Sequence, residues 1–242
     1  MPRLVPSDCL AVIPARDEVA TVAAVVRGVR DSLGCRVLVV DDASTDGTAA
    51  AARAAGADTL MLPIGLGAWG ACQAGIRYAA RNGFSGVVSL DADGQHRPDS
   101  LPSLFEKHAR TGANVVVGTC IERLSVPKRI AWQYLRLLTG LQLRDFTSGL
   151  RLYDAKAVEI LAAPEASLLD YQDVGVLMLL AGKGMTIVET PTTMQPRQEG
   201  HSRVFASWAV VARYMFHTTI LCISRLDLDM RSARPVADGA DS

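Results

Sequence analysis

Short apolar runs separated by helix-length stretches recur along the first half of this chain. That alternation constrains its fold more than any other feature. CLAVI (9–13), CRVLVV (35–40), TLML (59–62), GVVSL (86–90) and ANVVVG (113–118) read as buried strands. Between them lie a helical stretch from Glu18 to about Ser32, the alanine-rich TDGTAAAARAAG, and a third helix over 65–82. Strands alternating with helices of about 10–15 residues build βαβ units and a mainly parallel sheet. In such a sheet, ligands sit beyond the carboxyl ends of the strands. That rule sets residues 14–18, Asp41-Asp42 and residues 91–95 on one edge, where three acidic strand ends converge on a site.

Beyond residue 118 the alternation loosens. PKRIAWQYLRLLTGL (127–141) reads as an amphipathic helix with a basic face of Lys128, Arg129 and Arg136. SGLRLYD follows, then a helix from Ala155, a helical run near 174–180, and strands near MTIVE and TTMQP. The organisation expected is one domain over 1–226: a donor half over about 9–118, an acceptor half over about 119–203 and a C-terminal helix over 204–226. A flexible tail over 227–242 completes the 242 residues. The apolar run VFASWAVVARYMFHTTILCI (204–223) is long enough to consider as a membrane span, but Arg213 and His217 fall within it, one turn apart. It reads first as a buried or oligomer-interface helix and second as a helix lying on a membrane.

Charge narrows the function classes. With 25 basic and 25 acidic residues and 5% aromatics, the chain has neither the field of a nucleic-acid coat nor the rings of a base-stacking platform. Five cysteines, an odd number without a CxxC pair, read as reduced thiols of a cytosolic protein. The segment MPRLVPSDC has neither the apolar core nor the small-residue cleavage site of a secretory signal.

The chemistry concentrates in VVSLDADGQHRPD (87–99). One aspartate at a strand end can cap the next helix, but here that helix starts nearer Arg97-Pro98. Two aspartates at i and i+2, with Gln95 at i+4, repel each other unless a cation neutralises them. Oxygen donors suit Mg²⁺ or Mn²⁺, which take their remaining ligands from phosphates and water. A phosphatase of the haloacid-dehalogenase type also carries DxDG, but with Thr or Val after the glycine and on the first strand. This chain has Gln95, on the fourth. GxxxxGK[ST] does not occur, the first strand runs into PARDE instead of a GxGxxG turn, and the glycines of PIGLGAWGACQAG fit a phosphate cradle or close helix packing equally well.

The assembled motifs VIPARDE, VLVVDDASTDGT, GLGAWGACQAGIRYA, VVSLDADGQHRPD, RDFTSGLRLYD and MQPRQEGHSR are more specific. In this order and spacing the chain resembles family 2 glycosyltransferases of the dolichol-phosphate mannose synthase-like group, the polyprenyl-phosphate sugar synthases, over about residues 9–216. The resemblance implies a GT-A type, Rossmann-like fold, a nucleoside-diphosphate sugar donor, Mg²⁺ or Mn²⁺, and inversion at the anomeric carbon. It sets Pro14, Arg16 and Glu18 against the base and ribose, with Val40 and Asp42 at the base and ribose edge. Asp91, Ala92 and Asp93 would contact ribose and diphosphate, Asp93 and Gln95 the metal, and Arg197 and Arg203 would clamp the donor phosphates. Cys120 stands where the family often has Arg, which puts one phosphate contact in doubt and makes Arg123 the candidate to supply it.

If the acceptor is a lipid phosphate, its oxygen is already anionic near neutral pH and needs no base. Arg129, Ser148 and Arg151 are then the candidates to position it. If the acceptor is a sugar hydroxyl, Asp173 is the candidate base. A lipid acceptor implies peripheral contact with the inner face of a membrane through 204–223, or a membrane partner protein or second copy docking there. A non-catalytic nucleotide-sugar-binding subunit is the competing reading from another class; the intact DADGQ and both late arginines argue against it.

Overall fold

The first three strands form successive parallel βαβ units because each apolar run is followed by a helix with one apolar stripe. In the computed structural model, which describes residues 4–120, 126–169, 174–195 and 219, β1 (Cys9–Ala15) leads through α1 (Val22–Leu33) to β2 (Arg36–Asp41). The chain continues through α2 (Thr48–Ala54) to β3 (Asp58–Met61). The next helix, α3 (Gly67–Arg81), crosses back over the sheet, and β4 (Gly86–Ser89) pairs on the other side of β1. There follow α4 (Leu101–Thr111), β5 (Val115–Thr119), α5 (Val126–Thr139), β6 (Arg151–Asp154), α6 (Ala155–Ala162), α7 (Val174–Gly182) and β7 (Ile187–Pro191).

The sheet order is β3-β2-β1-β4-β6-β5-β7. All pairings are parallel except those of β6, which runs antiparallel between β4 and β5. Alternate residues of each strand face opposite layers, as the two-residue period requires. Leu10, Val12, Leu38, Val40, Val87 and Val115 pack with α3, α6 and α7. Ala11, Ile13, Val37, Val39, Val88 and Val116 pack with α1 and α4. The α1 stripe of Val22, Val25, Val26, Val29 and Leu33 is fully used in this layer.

Two expectations change. The first helix begins at Val22, not Glu18, because Asp17 takes a left-handed φ of 52° and residues 17–19 donate their N–H groups to side chains of the next loop. The described part of TTMQP, residues 192–195, forms no strand; it contributes one antiparallel bridge, Met194 to His96. Cys9, Cys35, Cys72 and Cys120 are free and buried, and Cys222 lies outside the described residues. Burial pushes the Cys9, Cys35 and Cys72 thiols up to about 12, 11 and 12, so none is a ready nucleophile.

Candidate active site

The strand order reverses between β1 and β4, where the carboxyl ends of neighbouring strands open into a crevice. The loops that follow β1, β2 and β4 all leave from this edge. The first two are shaped by each other's side chains. Asp17 N–H donates to Ser44 Oγ at 2.9 Å, and Thr45 N–H returns a bond to Asp17 Oδ1 at 2.9 Å. Glu18 N–H donates to Thr48 Oγ1 at 2.9 Å, and Val19 N–H to Asp46 Oδ2 at 3.1 Å. Desolvation works to raise the Asp46 carboxyl, but hydrogen bonds from Thr48 and Val19 outweigh it and hold it below the usual aspartate range.

Asp42 is spent in the same way. It is buried, with Oδ1 accepting from Leu66 N at 2.5 Å and Oδ2 from Gly67 N at 3.0 Å, so it receives two orphan donors at the start of α3. Arg16 lies 3.9 Å from the same carboxylate and is half exposed. Pro14 and Glu18 are half-buried at the crevice, and Glu18 accepts from Thr21 Oγ1 at 3.1 Å.

The β4 loop turns at Gly94, whose φ of 72° suits a residue without Cβ. Asp93 Oδ1 accepts from Gln95 N at 3.0 Å, so the first of the paired oxygen donors also shapes the backbone that carries the second. The neighbour of Asp91 is set by register. Ser89 pairs with Arg151 across β4 and β6, and extending that antiparallel register by two residues brings Asp91 opposite Gly149. A Cβ on Gly149 would lie 2.6 Å from Asp91 Oδ2 and 2.7 Å from Oδ1. The glycine of TSGLR is there so that the carboxylate can lie against bare backbone. On the other flank, His96 Nε2 is 3.8 Å from Asp91 Oδ2.

Three sequence expectations are corrected by burial. Val40 is fully buried on the α3 side, in contact range of Gly75, so its side chain cannot face a base. The Ala92 methyl points into the α1 and α4 layer, leaving only its backbone toward the crevice. Arg151 has no solvent exposure; its guanidinium donates to Ser148 O at 2.9 Å and Phe146 O at 3.0 Å. It holds the TSGLR loop from beneath instead of meeting an acceptor. Ser148 is also buried, its Oγ accepting from Leu150 N at 3.3 Å.

Arg129 is carried by α5, but its side chain, like Arg123, Asp173, Arg197 and Arg203, lies outside those described. The residues that spacing did not single out are Gly149, His96 and Glu189. Glu189 Oε1 accepts from Arg144 N at 2.7 Å and Asp145 N at 3.0 Å, fixing the start of the same loop. The glycine in TSGLR and the histidine after DADGQ were visible signals; the pairing of β6 with β4 that gives the glycine its meaning was not.

The same architecture and motif set occur in known proteins. The sequence model for glycosyl transferase family 2 matches residues 10–163. The chain is 34% identical to the undecaprenyl-phosphate mannosyltransferase of Micrococcus luteus, over 81% of this chain and 86% of that one. It is 30% identical to the polyprenol monophosphomannose synthase of Mycolicibacterium smegmatis, over 82% and 81%. Among solved structures it superposes on Mycobacterium tuberculosis glucosyl-3-phosphoglycerate synthase with a TM-score of 0.65 at 19% identity, covering 95% of this chain and 81% of that one. Another structure of that synthase, holding Mn²⁺, uridine diphosphate and phosphoglyceric acid, aligns with a TM-score of 0.61 at 19% identity, over 95% and 80%. With a family model spanning well over half its length and two relatives matched along most of theirs, the chain belongs to glycosyl transferase family 2, and its GT-A type fold is that of a family 2 glycosyltransferase.

Proposed function

We propose that this glycosyltransferase moves a hexose from a nucleoside-diphosphate sugar to a polyprenyl phosphate, with Mg²⁺ or Mn²⁺ as cofactor. One observation carries the donor part: residues 91–95 present paired oxygen donors at the switch point of the sheet, in a loop shaped by Asp93 itself. The two relatives named for polyprenyl-phosphate mannosyl transfer support the acceptor.

The donor set fits a hard cation that keeps most of its shell for other ligands. Among the described residues no three His, Cys, Asp or Glu side chains converge, so the protein offers an open set, Asp93 and Gln95. The ion, when bound, neutralises charge that develops on the leaving diphosphate. The chain's own residues do the rest. Pro14, Arg16 and Glu18 line the base and ribose side of the crevice. Asp42, bound to the α3 start, fixes the wall of that pocket in place of a direct base contact. Asp91 faces the ribose and diphosphate, and Arg197 with Arg203 closes on the phosphates.

On the acceptor side, Ser148 and Gly149 present backbone beside Asp91, and Arg129 draws in the lipid phosphate. The attacking oxygen is then already anionic, so Asp173 has a catalytic task only with a hydroxyl acceptor. The division into a donor half up to 118 and an acceptor half over 119–203 follows the same reading. No helix among the described residues is long and apolar enough to cross a membrane. We assign lipid access to peripheral contact of 204–223 with the inner face of a membrane, or to a partner or second copy there. Tyr134 Oη lies 3.2 Å from Thr219 Oγ1, which sets residue 219 against α5.

The test is transfer from nucleoside-diphosphate sugars to polyprenyl phosphate or polyprenol, with and without Mn²⁺. Transfer to the phosphate alone, lowered at least about 10²–10³-fold by Asp93→Ala, is the expected result. Transfer to polyprenol or to a free sugar would sink the phosphate acceptor, and metal-independent turnover would sink the role of Asp93.

A further inference from the structure

Asp91 is held between two neighbours from distant parts of the chain. Gly149 backbone lies against one flank of the carboxylate, and the His96 ring faces the other. The His96 side chain is only 2% exposed, yet neither Nδ1 nor Nε2 has a hydrogen-bond partner among the described residues. Buried polar side chains are almost always paired, so an imidazole kept unpaired beside a site carboxylate calls for a reason. Its backbone is pinned. His96 bridges Met194, Gln195 N–H donates to Gln95 O at 2.7 Å, and Arg97 N–H reaches Thr193 O at 3.4 Å. With its backbone held and its ring buried, His96 has little freedom to seek another partner, and Asp91, about half exposed, is the group that can move.

We propose that His96 is a positioning residue for Asp91, donating Nε2–H to Oδ2 when a nucleoside diphosphate and its cation occupy the crevice. From 3.8 Å, a closure of about 1 Å brings the pair to ordinary N–H···O distance. No proton changes owner: the ring orients the carboxylate. The strap to residues 193–195 gives the histidine a fixed base, and the chain then runs on toward Arg197. The ordering of Asp91 is thereby tied to the segment that leads to the proposed phosphate clamp. The proposal rests on residues 91–95 forming the donor site.

Three full-length variants test it: His96→Gln, whose amide nitrogen reaches about as far as Nε2, His96→Asn, which reaches only as far as Nδ1, and His96→Leu. Thermal unfolding is followed with and without Mn²⁺ plus UDP or GDP, alongside donor KM and kcat. Without ligand, His96→Leu should unfold at or above the wild-type temperature, because leucine buries no unpaired polar atom. With ligand, His96→Leu and His96→Asn should bind the nucleotide at least about tenfold more weakly, and His96→Gln within about threefold of wild type. The loss should appear mainly in donor KM, with Gln restoring it. Equal behaviour of Gln and Asn, wild-type binding by the Leu variant, or a Leu variant destabilised before any ligand is added would each overturn the assignment. If neither nucleotide shifts the wild-type protein, the donor-site reading itself fails, a result distinct from any difference among the variants.

Discussion

The two sides of the crevice are held in opposite ways. On the β1–β2 side, loops are fixed by short polar side chains: Asp17, Ser44 and Asp46, more exposed, and Thr48, buried, accept from backbone N–H groups across the two loops. On the β6 side the loop over 140–150 is held from beneath, by fully buried Arg151 and half-buried Glu189 gripping its carbonyls and N–H groups. An exposed lacing of many weak bonds loses little when one is cut. A buried anchor concentrates the same task in one side chain, where each unmet partner also suffers desolvation. Damage should therefore be much greater per substitution on the β6 side.

Arg151→Met gives the largest expected effect. The methionine fills similar space but leaves Ser148 O and Phe146 O without their donor. Two buried carbonyls unpaired amount to about 2–5 kcal/mol, or roughly 5–15 °C in Tm for a chain of this length. Thermal denaturation reads it directly. A change below about 2 °C would remove the anchor from the comparison and return Arg151 to the candidates for binding. Ser44→Ala, cutting one lace on the opposite side, is the control and should shift Tm several-fold less.

Gly149→Ala comes next and separates position from stability. The added methyl meets the end of a movable side chain, Asp91, and no rigid backbone, so the carboxylate yields and the fold stays. A displacement of order 1 Å at a reacting centre can lower turnover about 10²-fold. The expected pattern is turnover reduced about 10–100-fold with Tm nearly unchanged. Loss of both together would mean that the β6 loop cannot adjust and that the glycine serves packing.

Why one side was readable from sequence and the other was not follows from where the constraints lie. The β1–β2–β4 edge is written in local patterns: apolar strands, then DD or DAD, then a glycine and a helix. The edge was legible, as were the acidic loops on it. The same local logic misplaced α1, because Glu18 has helix-forming character while its N–H is taken by Thr48, thirty residues away. The burial of Arg151 escapes the same local logic. Which face of a strand a residue occupies depends on its neighbours in the sheet, and β6 enters between β4 and β5 out of chain order and antiparallel. A charged residue in a polar motif looks exposed until that insertion is known. His96 and Glu189 carried no periodic signal at all; only their packing against Asp91 and against the N–H groups of 144 and 145 singles them out.

The smallest expected effects sharpen the comparison through pH, because the two sides carry carboxylates shifted in opposite directions. Asp46 is held below the usual aspartate range: desolvation opposes this, but the bonds from Thr48 and Val19 prevail. A depressed carboxyl lends stability that is present above its unfolded value, near 3.8, and is lost as pH falls through the lower folded value. Asp46→Asn should therefore lower Tm at pH 7 and converge on wild type in strong acid. Glu189 is raised, first by burial and also by Asp145, while the N–H groups of Asp145 and Arg144 pull it back. Its contribution is complete below the unfolded value near 4.5 and is lost as pH rises through the higher folded one. Glu189→Gln keeps an oxygen for Arg144 N and Asp145 N but removes the charge, so it should raise Tm at pH 7 and match wild type below about pH 4. Melting curves of the two variants should thus deviate from wild type in opposite directions at pH 7; Glu189→Gln rejoins wild type at the acid end of pH 3–8, and Asp46→Asn only in stronger acid, below the lowered folded value of Asp46. Deviations of the same sign would show that one mode of loop support serves both sides of the crevice.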